Sequence, residues 1–157
     1  MADYFLKVDG IEGESADAKH KGEIDVVAFS WGVGRAGAPT GSGGGESKPV
    51  FDDLLVVART SKASPHLWLA CANGTHIKTA VLTARKAGKP PQEFLTIVLS
   101  DIVVASYEVD GSDDEPPLDQ VSFSYGKVET RYTPTGKSGK SQPPVSADWD
   151  LKSSSKA

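Results

Sequence analysis

The chain has 157 residues with 16 glycines, 10 prolines, one cysteine and 38% hydrophobic residues, enough length and apolar content for one domain with a real core. A single cysteine excludes an internal disulfide framework and any zinc site needing two or four cysteines, and the chain fits a reducing birthplace. A formal charge of −4 argues against nucleic acid or an anionic membrane as the main partner, no apolar run reaches the roughly 18 residues of a membrane-spanning helix, and Met1-Ala2-Asp3-Tyr4 opens no secretory signal.

In chain order, Tyr4 to Val8 reads as a short strand. Glu23 to Val33 alternates, with Val27, Phe29, Trp31 and Val33 expected on one face and Ile24, Val26, Ala28 and Ser30 on the other. From Gly32 to Pro49 seven glycines and two prolines fall in eighteen residues, which predicts a long flexible connection. Val50 to Thr60 is a further strand. Ser64 as cap, Pro65 at the first helical position and Gly74 as stop predict one helix over about 64–73. In that helix Leu67 and Cys71 share a face, as do Trp68 and Ala72.

Ile77 to Arg85 alternates and runs into the turn signal Lys86-Ala87-Gly88-Lys89-Pro90. Glu93 to Val109 is a long strand with two largely apolar faces. Leu95, Ile97, Leu99, Val103, Ala105 and Tyr107 belong to one, and Phe94, Val98, Ile102 and Val104 to the other. Asp101 falls among the first set, so a bend or bulge is expected near Ser100-Asp101. Asp110 to Pro117 is an acidic turn. Val121, Phe123 and Tyr125 alternate with serines in a strand continuing to Tyr132. The organisation is then a β domain over 1–132 and a tail over 133–157, loose over 134–144, with Trp149 and Leu151 marking a docked strand over about 146–152. Six to eight strands joined by turns, with one short helix, give a mainly β fold, a barrel or sandwich.

Motifs that suggest chemistry fail on context. Gly32-Val33-Gly34-Arg35-Ala36-Gly37 matches the dinucleotide pattern, but Pro39 and more glycines follow where a helix must begin. Gly136-Lys137-Ser138 and Gly139-Lys140-Ser141 lack the upstream glycine of a phosphate loop, for Arg131 and Pro134 stand there. His20, His66 and His76 show no metal-ligand spacing and read as surface or hydrogen-bonded histidines. Asn73-Gly74-Thr75 is a glycosylation sequon that means nothing without a signal peptide. Cys71 reads as a small buried hydrophobe. The acids Asp52-Asp53 and Asp113-Asp114-Glu115 read as solvated turns, and no nucleophile elbow is present. The expectation is no enzyme, no cofactor and no metal.

A family resemblance covers nearly the whole chain in the right order. It is carried by Phe5 to Ser15 (Phe-Leu-Lys-Val-Asp-Gly-Ile-Glu-Gly-Glu-Ser), Asp17, His20-Lys21, Glu23 to Val26 and Phe29-Ser30-Trp31-Gly32. It continues through Lys62 to Pro65, Leu69 to Ala72, Gly74, His76-Ile77, Arg85 to Gly88 and Glu93-Phe94-Leu95. Asp101 to Val104, Ser106-Tyr107, Gln120 to Phe123 and Trp149 to Lys152 complete it. These stretches resemble the Hcp family, the tube proteins of bacterial type VI secretion systems. Phe29 departs from the family's usual Trp. The acidic Asp110–Pro117 turn replaces a Gly-rich one, and Leu54 to Thr60 lacks the family's aromatic character.

The resemblance implies a compact β-barrel of two sheets with one short helix beside it, assembling as a hexameric ring. Rings stack into a tube inside contractile sheath proteins and beneath a VgrG-like spike, and effector proteins ride in the lumen. Made in the bacterial cytoplasm, such a protein is exported without a signal peptide and calls for neither nucleic acid nor membrane insertion. A heterologous interface is needed for the ring. If Phe29 and Trp31 fill the barrel, Ser30 and Ala28 face outward and are expected to line the lumen and touch cargo. The loop residues Gly34, Arg35, Gly43, Gly44 and Gly45 are expected to act in ring assembly. The tube protein of a phage-like contractile particle and a small ligand-binding barrel are the alternative readings.

Overall fold

A computed structural model describes residues 1–36, 48–136 and 138–156. Its strands are β1 (Ala2–Val8), β2 (Ile24–Ser30), β3 (Val33–Ala36), β4 (Lys48–Phe51), β5 (Leu54–Arg59), β6 (Ile77–Lys86), β7 (Gln92–Asp110), β8 (Leu118–Tyr132) and β9 (Val145–Asp150), with one helix, α1 (Ser64–Asn73). Seven strands lie in the order β5-β2-β1-β6-β7-β8-β9, and β5 also pairs with β8. The result is a closed barrel of six antiparallel strands carrying β9 as an extra strand. One edge of β8 pairs along its length with β7. The other edge is shared, residues 118–123 pairing with β5 and residues 127–132 with β9.

Closure places alternate side chains inside, and the interior is filled by them rather than left as a ligand cavity. Leu54, Leu99, Ile102 and Phe123 are fully buried there, with Leu6, Leu82, Val56, Val104 and Val121 around them. Burying each such chain contributes about 1.5–3 kcal/mol.

Simple alternation holds only in pieces, and the interruptions explain where the faces expected from sequence change sides. On β7 the core takes Ile97 and Leu99, then Ile102 and Val104. The switch falls at Asp101, whose φ of 53° is left-handed. On β8 it takes Val121, Phe123 and Tyr125, then Val128. The register across the two strands is unshifted, Ser100 facing Lys127 and Ile102 facing Tyr125. Both strands therefore turn over together at Asp101 and Gly126. A Cβ on Gly126 would stand 3.0 Å from the Asp101 Cβ, so glycine gives the bent residue room. A bulge between Val104 and Ser106 switches β7 again and brings Tyr107 against the core. The two-faced split expected for Glu93 to Val109 is thus a strand that feeds its core from both parities in turn.

The same device corrects β2. A bulge between Val26 and Ala28 ends the alternation of Ile24 and Val26, so that Phe29 and Trp31 join them on the core side. Ala28 and Ser30 are exposed on the outer side. They point out of the barrel, but they do not share a face with Ile24 and Val26.

Helix α1 lies beside β7 with Leu67 and Ala70 buried, Cys71 half-buried and Trp68 half-exposed. Its N-cap is Ala63 without a side-chain cap, so Ser64 is not the cap the sequence suggests. Gly74 ends it in the left-handed conformation at φ 67°, its N–H bonded to the Ala70 carbonyl.

Residues 9–23 form no regular element except a bridge from Ile11 to Val8, yet they are tightly tied. Gly13 N–H donates to Gly22 O, Ser15 N–H to Glu23 O and Gly22 N–H to Ser15 O. Gly13 passes so close to Glu23 and Ile24 that a Cβ there would lie 2.5 Å from the Glu23 carbonyl oxygen and 2.7 Å from the Ile24 Cα. Only glycine fits against backbone at that distance. A Gly13→Ala variant should lose about 1–3 kcal/mol by forcing the segment off β2. Chemical denaturation of the two proteins side by side measures this, with Gly34→Ala, in open space, as the unaffected control.

Candidate assembly surfaces

Three sets of side chains set the outer shape of the barrel. The first fixes a protruding arm. β3 and β4 form a two-stranded sheet in which Val33 faces Phe51, Gly34 faces Val50, Arg35 faces Pro49 and Ala36 faces Lys48. This ribbon continues the β2–β5 pair, whose last partners are Ser30 and Leu55. Gly34 and Arg35, expected in a flexible loop, are strand residues. The alternating Val33 and Arg35 find partners across the ribbon, which the glycine content of the stretch conceals. Gly43, Gly44 and Gly45 lie outside the described residues.

The joint between arm and barrel is aromatic. Trp31 Nε1–H donates to the Tyr125 hydroxyl at 2.6 Å, and that hydroxyl donates to the Asp52 carbonyl at 2.6 Å. Burial pushes the Tyr125 hydroxyl pKa up, which keeps it a donor. Asp52 N–H in turn donates to the Gly32 carbonyl at 2.9 Å. Phe51 stacks on Trp149 of β9 at 6.0 Å and meets Trp31 at 6.3 Å. Beside them a groove of about 190 Å³ is lined by Trp31, Val33, Phe51, Val128 and Trp149, leaving apolar surface at the foot of the arm. The outward Ala28 and Ser30 sit on β2 just before this joint.

The second set anchors α1. Asp119, only 2% exposed, lies on the inner face of β8. It accepts from Thr60 Oγ1 at 2.8 Å, from Tyr107 Oη at 2.9 Å and from Ser64 Oγ. Ser64 Oγ also accepts from Ser61 N–H at 2.9 Å. Burial, followed by the bond to Asp119, pushes the Tyr107 hydroxyl pKa up. Ser64 thus ties the first turn of the helix to the barrel instead of capping it. The strand pattern carried the signal, since Asp119 stands two residues before Val121 on the same parity as the core. Replacing Asp119 by Ala should strand three hydroxyls and cost about 3 kcal/mol. Thermal unfolding of the variant measures that loss.

The third set pins residues 9–23 to the outside of the barrel. Arg85, on β6, makes a two-pronged pair with Asp17, both nitrogen–oxygen distances 2.8 Å, and reaches Asp3 at 3.4 Å. Its guanidinium lies 4.8 Å from the centre of the Phe5 ring, against which His20 stacks at 4.4 Å. Phe5 points away from the barrel core and is buried under this cover. The hydrogen bonds from Arg85 hold the Asp17 carboxyl far below the usual carboxylate range. A depressed carboxyl contributes stability above its unfolded value, and that contribution is lost as pH falls. Acid unfolding should therefore begin to claim this pair below about pH 4. An Asp17→Asn variant should lose stability at neutral pH and show a shallower acid dependence, read from unfolding midpoints across the acid range.

These sites hold and orient polypeptide. Among the described residues no group of three or more His, Cys, Asp or Glu side chains is placed to hold a metal. No helix of the described residues is long and apolar enough to cross a membrane.

The geometry defines a class, a filled six-strand barrel with a side helix, a tied outer segment and a ribbon arm. Comparison with known proteins places that class. The family described as "Type VI secretion system effector, Hcp" matches residues 5–132. The protein hcp1 of Pseudomonas aeruginosa is 37% identical over 154 residues, covering 96% of this chain and 95% of that protein. The solved structure of Hcp1 from Salmonella typhimurium is 33% identical, with a TM-score of 0.84 over 99% of both chains. A solved type six secretion system protein superposes with a TM-score of 0.92 over the full length of both chains at 27% identity. The chain belongs to the Hcp family of type VI secretion proteins.

Proposed function

We propose that this chain is the tube subunit of a type VI secretion system. Six copies close into a ring around a central pore, rings stack, and the tube is expelled from a contractile sheath beneath a VgrG-like spike with effector proteins in its lumen. The role is structural. The protein is made in the cytoplasm and leaves the cell as part of the machine. The observation that carries this reading is superposition over the full length of both chains on a type six secretion system protein. The surfaces support it. Val33 and Val50 on the arm, Val27 on β2, Val109 at the end of β7 and Val145 on β9 are all about half-exposed or more. A heterologous ring contact joins two different patches of this sort.

In this reading Ser30 and Ala28 face the lumen, and the arm that carries Gly34 and Arg35 reaches a neighbouring copy. Light scattering should give a mass near six times 16.5 kDa, with rings in electron micrographs. A monomer at every concentration overturns the ring. Within intact rings, Ser30→Gln should lower capture of a lumen-borne effector by about tenfold or more, as about 1.4 kcal/mol of lost contact would. Unchanged capture would remove Ser30 from the cargo surface.

A further inference from the structure

Helix α1 holds no Asp, Glu, Lys or Arg, so neither its first turn is acidic nor its last turn basic. A helix that packs one face on a core ordinarily carries charged or polar side chains on the other. Here the outer face presents Pro65, His66, Trp68, Leu69 and Ala72. Trp68 is 50% exposed and Leu69 48%. Beside Leu69 lies a groove of about 320 Å³, with Ile11, Ala70 and Ile77 among its lining and the charged Asp9 and Lys78 at its edge. Depletion of charge around an aromatic anchor is the composition of an interface centre rather than of open surface.

The strand pairing decides which way this face looks. Ser30, Leu55, Ser122 and Ser106 form one row of cross-strand partners over β2, β5, β8 and β7, and Ala28, Val57, Gln120 and Glu108 form a second. Partners across a sheet point to the same side, so both rows share the outward side of Ala28 and Ser30. Tyr107 and Asp119 alternate with these rows and point to the core, where Tyr107 Oη and Ser64 Oγ both donate to Asp119. Helix α1 therefore lies behind the very sheet whose front carries Ala28 and Ser30. We propose that the uncharged outer face of α1, centred on Trp68 and Leu69, is the surface by which the tube holds its sheath. This rests on the tube reading. Once the front of that sheet lines the lumen, a helix behind it looks away from the pore, toward the wall that surrounds the tube. The sheath surface it fits is apolar and uncharged, with one side chain to fill the groove beside Leu69. A charged sheath wall would be desolvated against Trp68 without a partner, since α1 offers no opposite charge.

The test mixes tubes of the full-length protein with the sheath proteins of the same secretion system and measures co-sedimentation. Trp68→Glu and Leu69→Glu should form rings and stacks as the wild type does, by light scattering and electron microscopy. Each should bind the sheath about thirtyfold or more weakly, the scale on which loss of an apolar anchor is felt. Trp68→Phe, which keeps an apolar ring, should retain most of the binding. Variant tubes that bind the sheath as tightly as wild type overturn the proposal alone. So do variants that lose stacking but keep the sheath, because α1 is then a contact between copies. A wild-type chain that never forms rings overturns the tube reading, and the proposal with it. Hydroxyl-radical footprinting of wild-type tubes gives a second reading that does not depend on a variant folding. Labelling of Trp68 and Leu69 should be lost when the sheath is added, and labelling that stays the same overturns the proposal.

Discussion

Closure of the barrel through the β5–β8 pairing is the constraint on which the rest depends. It removes the free edges of six strands and puts one face of each in a shared interior. It also makes one edge of β8 serve two partners, β5 first and β9 after Gly126. Strands that curve round a closed wall and then leave it cannot keep one parity throughout. The breaks at Val26–Ala28, at Asp101 with Gly126 and at Val104–Ser106 are where that conflict is resolved. Each lets a strand turn over without losing its partner, and beyond Gly126 Val128 and Trp149 line the groove at the aromatic foot of the arm.

Two segments have no place in the sheet, and each is held by a small polar cluster. Helix α1 is moored by the carboxylate of Asp119 through three hydroxyl donors. Residues 9–23 are moored by Arg85, Asp17, His20 and two glutamates around Phe5. Buried charges of this sort contribute little net stability over an apolar substitute, but leaving one partner alone is costly. They therefore act by fixing one arrangement of the segment and penalising others. In the proposed tube, a fixed outer face is the useful property.

Much of the architecture was readable in the residues. The strands around Tyr4–Val8, Ile77–Arg85 and Val121–Tyr132 announce themselves by alternation, and Gly74 marks the helix end because only glycine takes its left-handed cap without strain. The break at Asp101 was legible too, but not that it carries Ile102 and Val104 to the same side as Ile97 and Leu99. The clusters were not. Asp17 stands 68 residues before Arg85 and His20 stands 73 before Glu93, and a lone His20 on a loop gives no hint of two carboxylates. Gly34 and Arg35 were misread for a related reason. Their strand is defined by Val50 and Pro49, sixteen and fourteen positions away, across a stretch whose composition signals only a loop.

Sequence by itself determined the class of fold and the family, since the periodicity of the strands and the ordered motifs from Phe5 to Lys152 are local or linear properties. Only the tertiary structure decided which way each side chain points. A bulge or a left-handed residue moves every later side chain to the other face, and its position is set by closure between distant strands rather than by the residues beside it. That decision sends Ser30 and Ala28 outward, carries Trp31 to Tyr125, and brings His20 between Glu23 and Glu93.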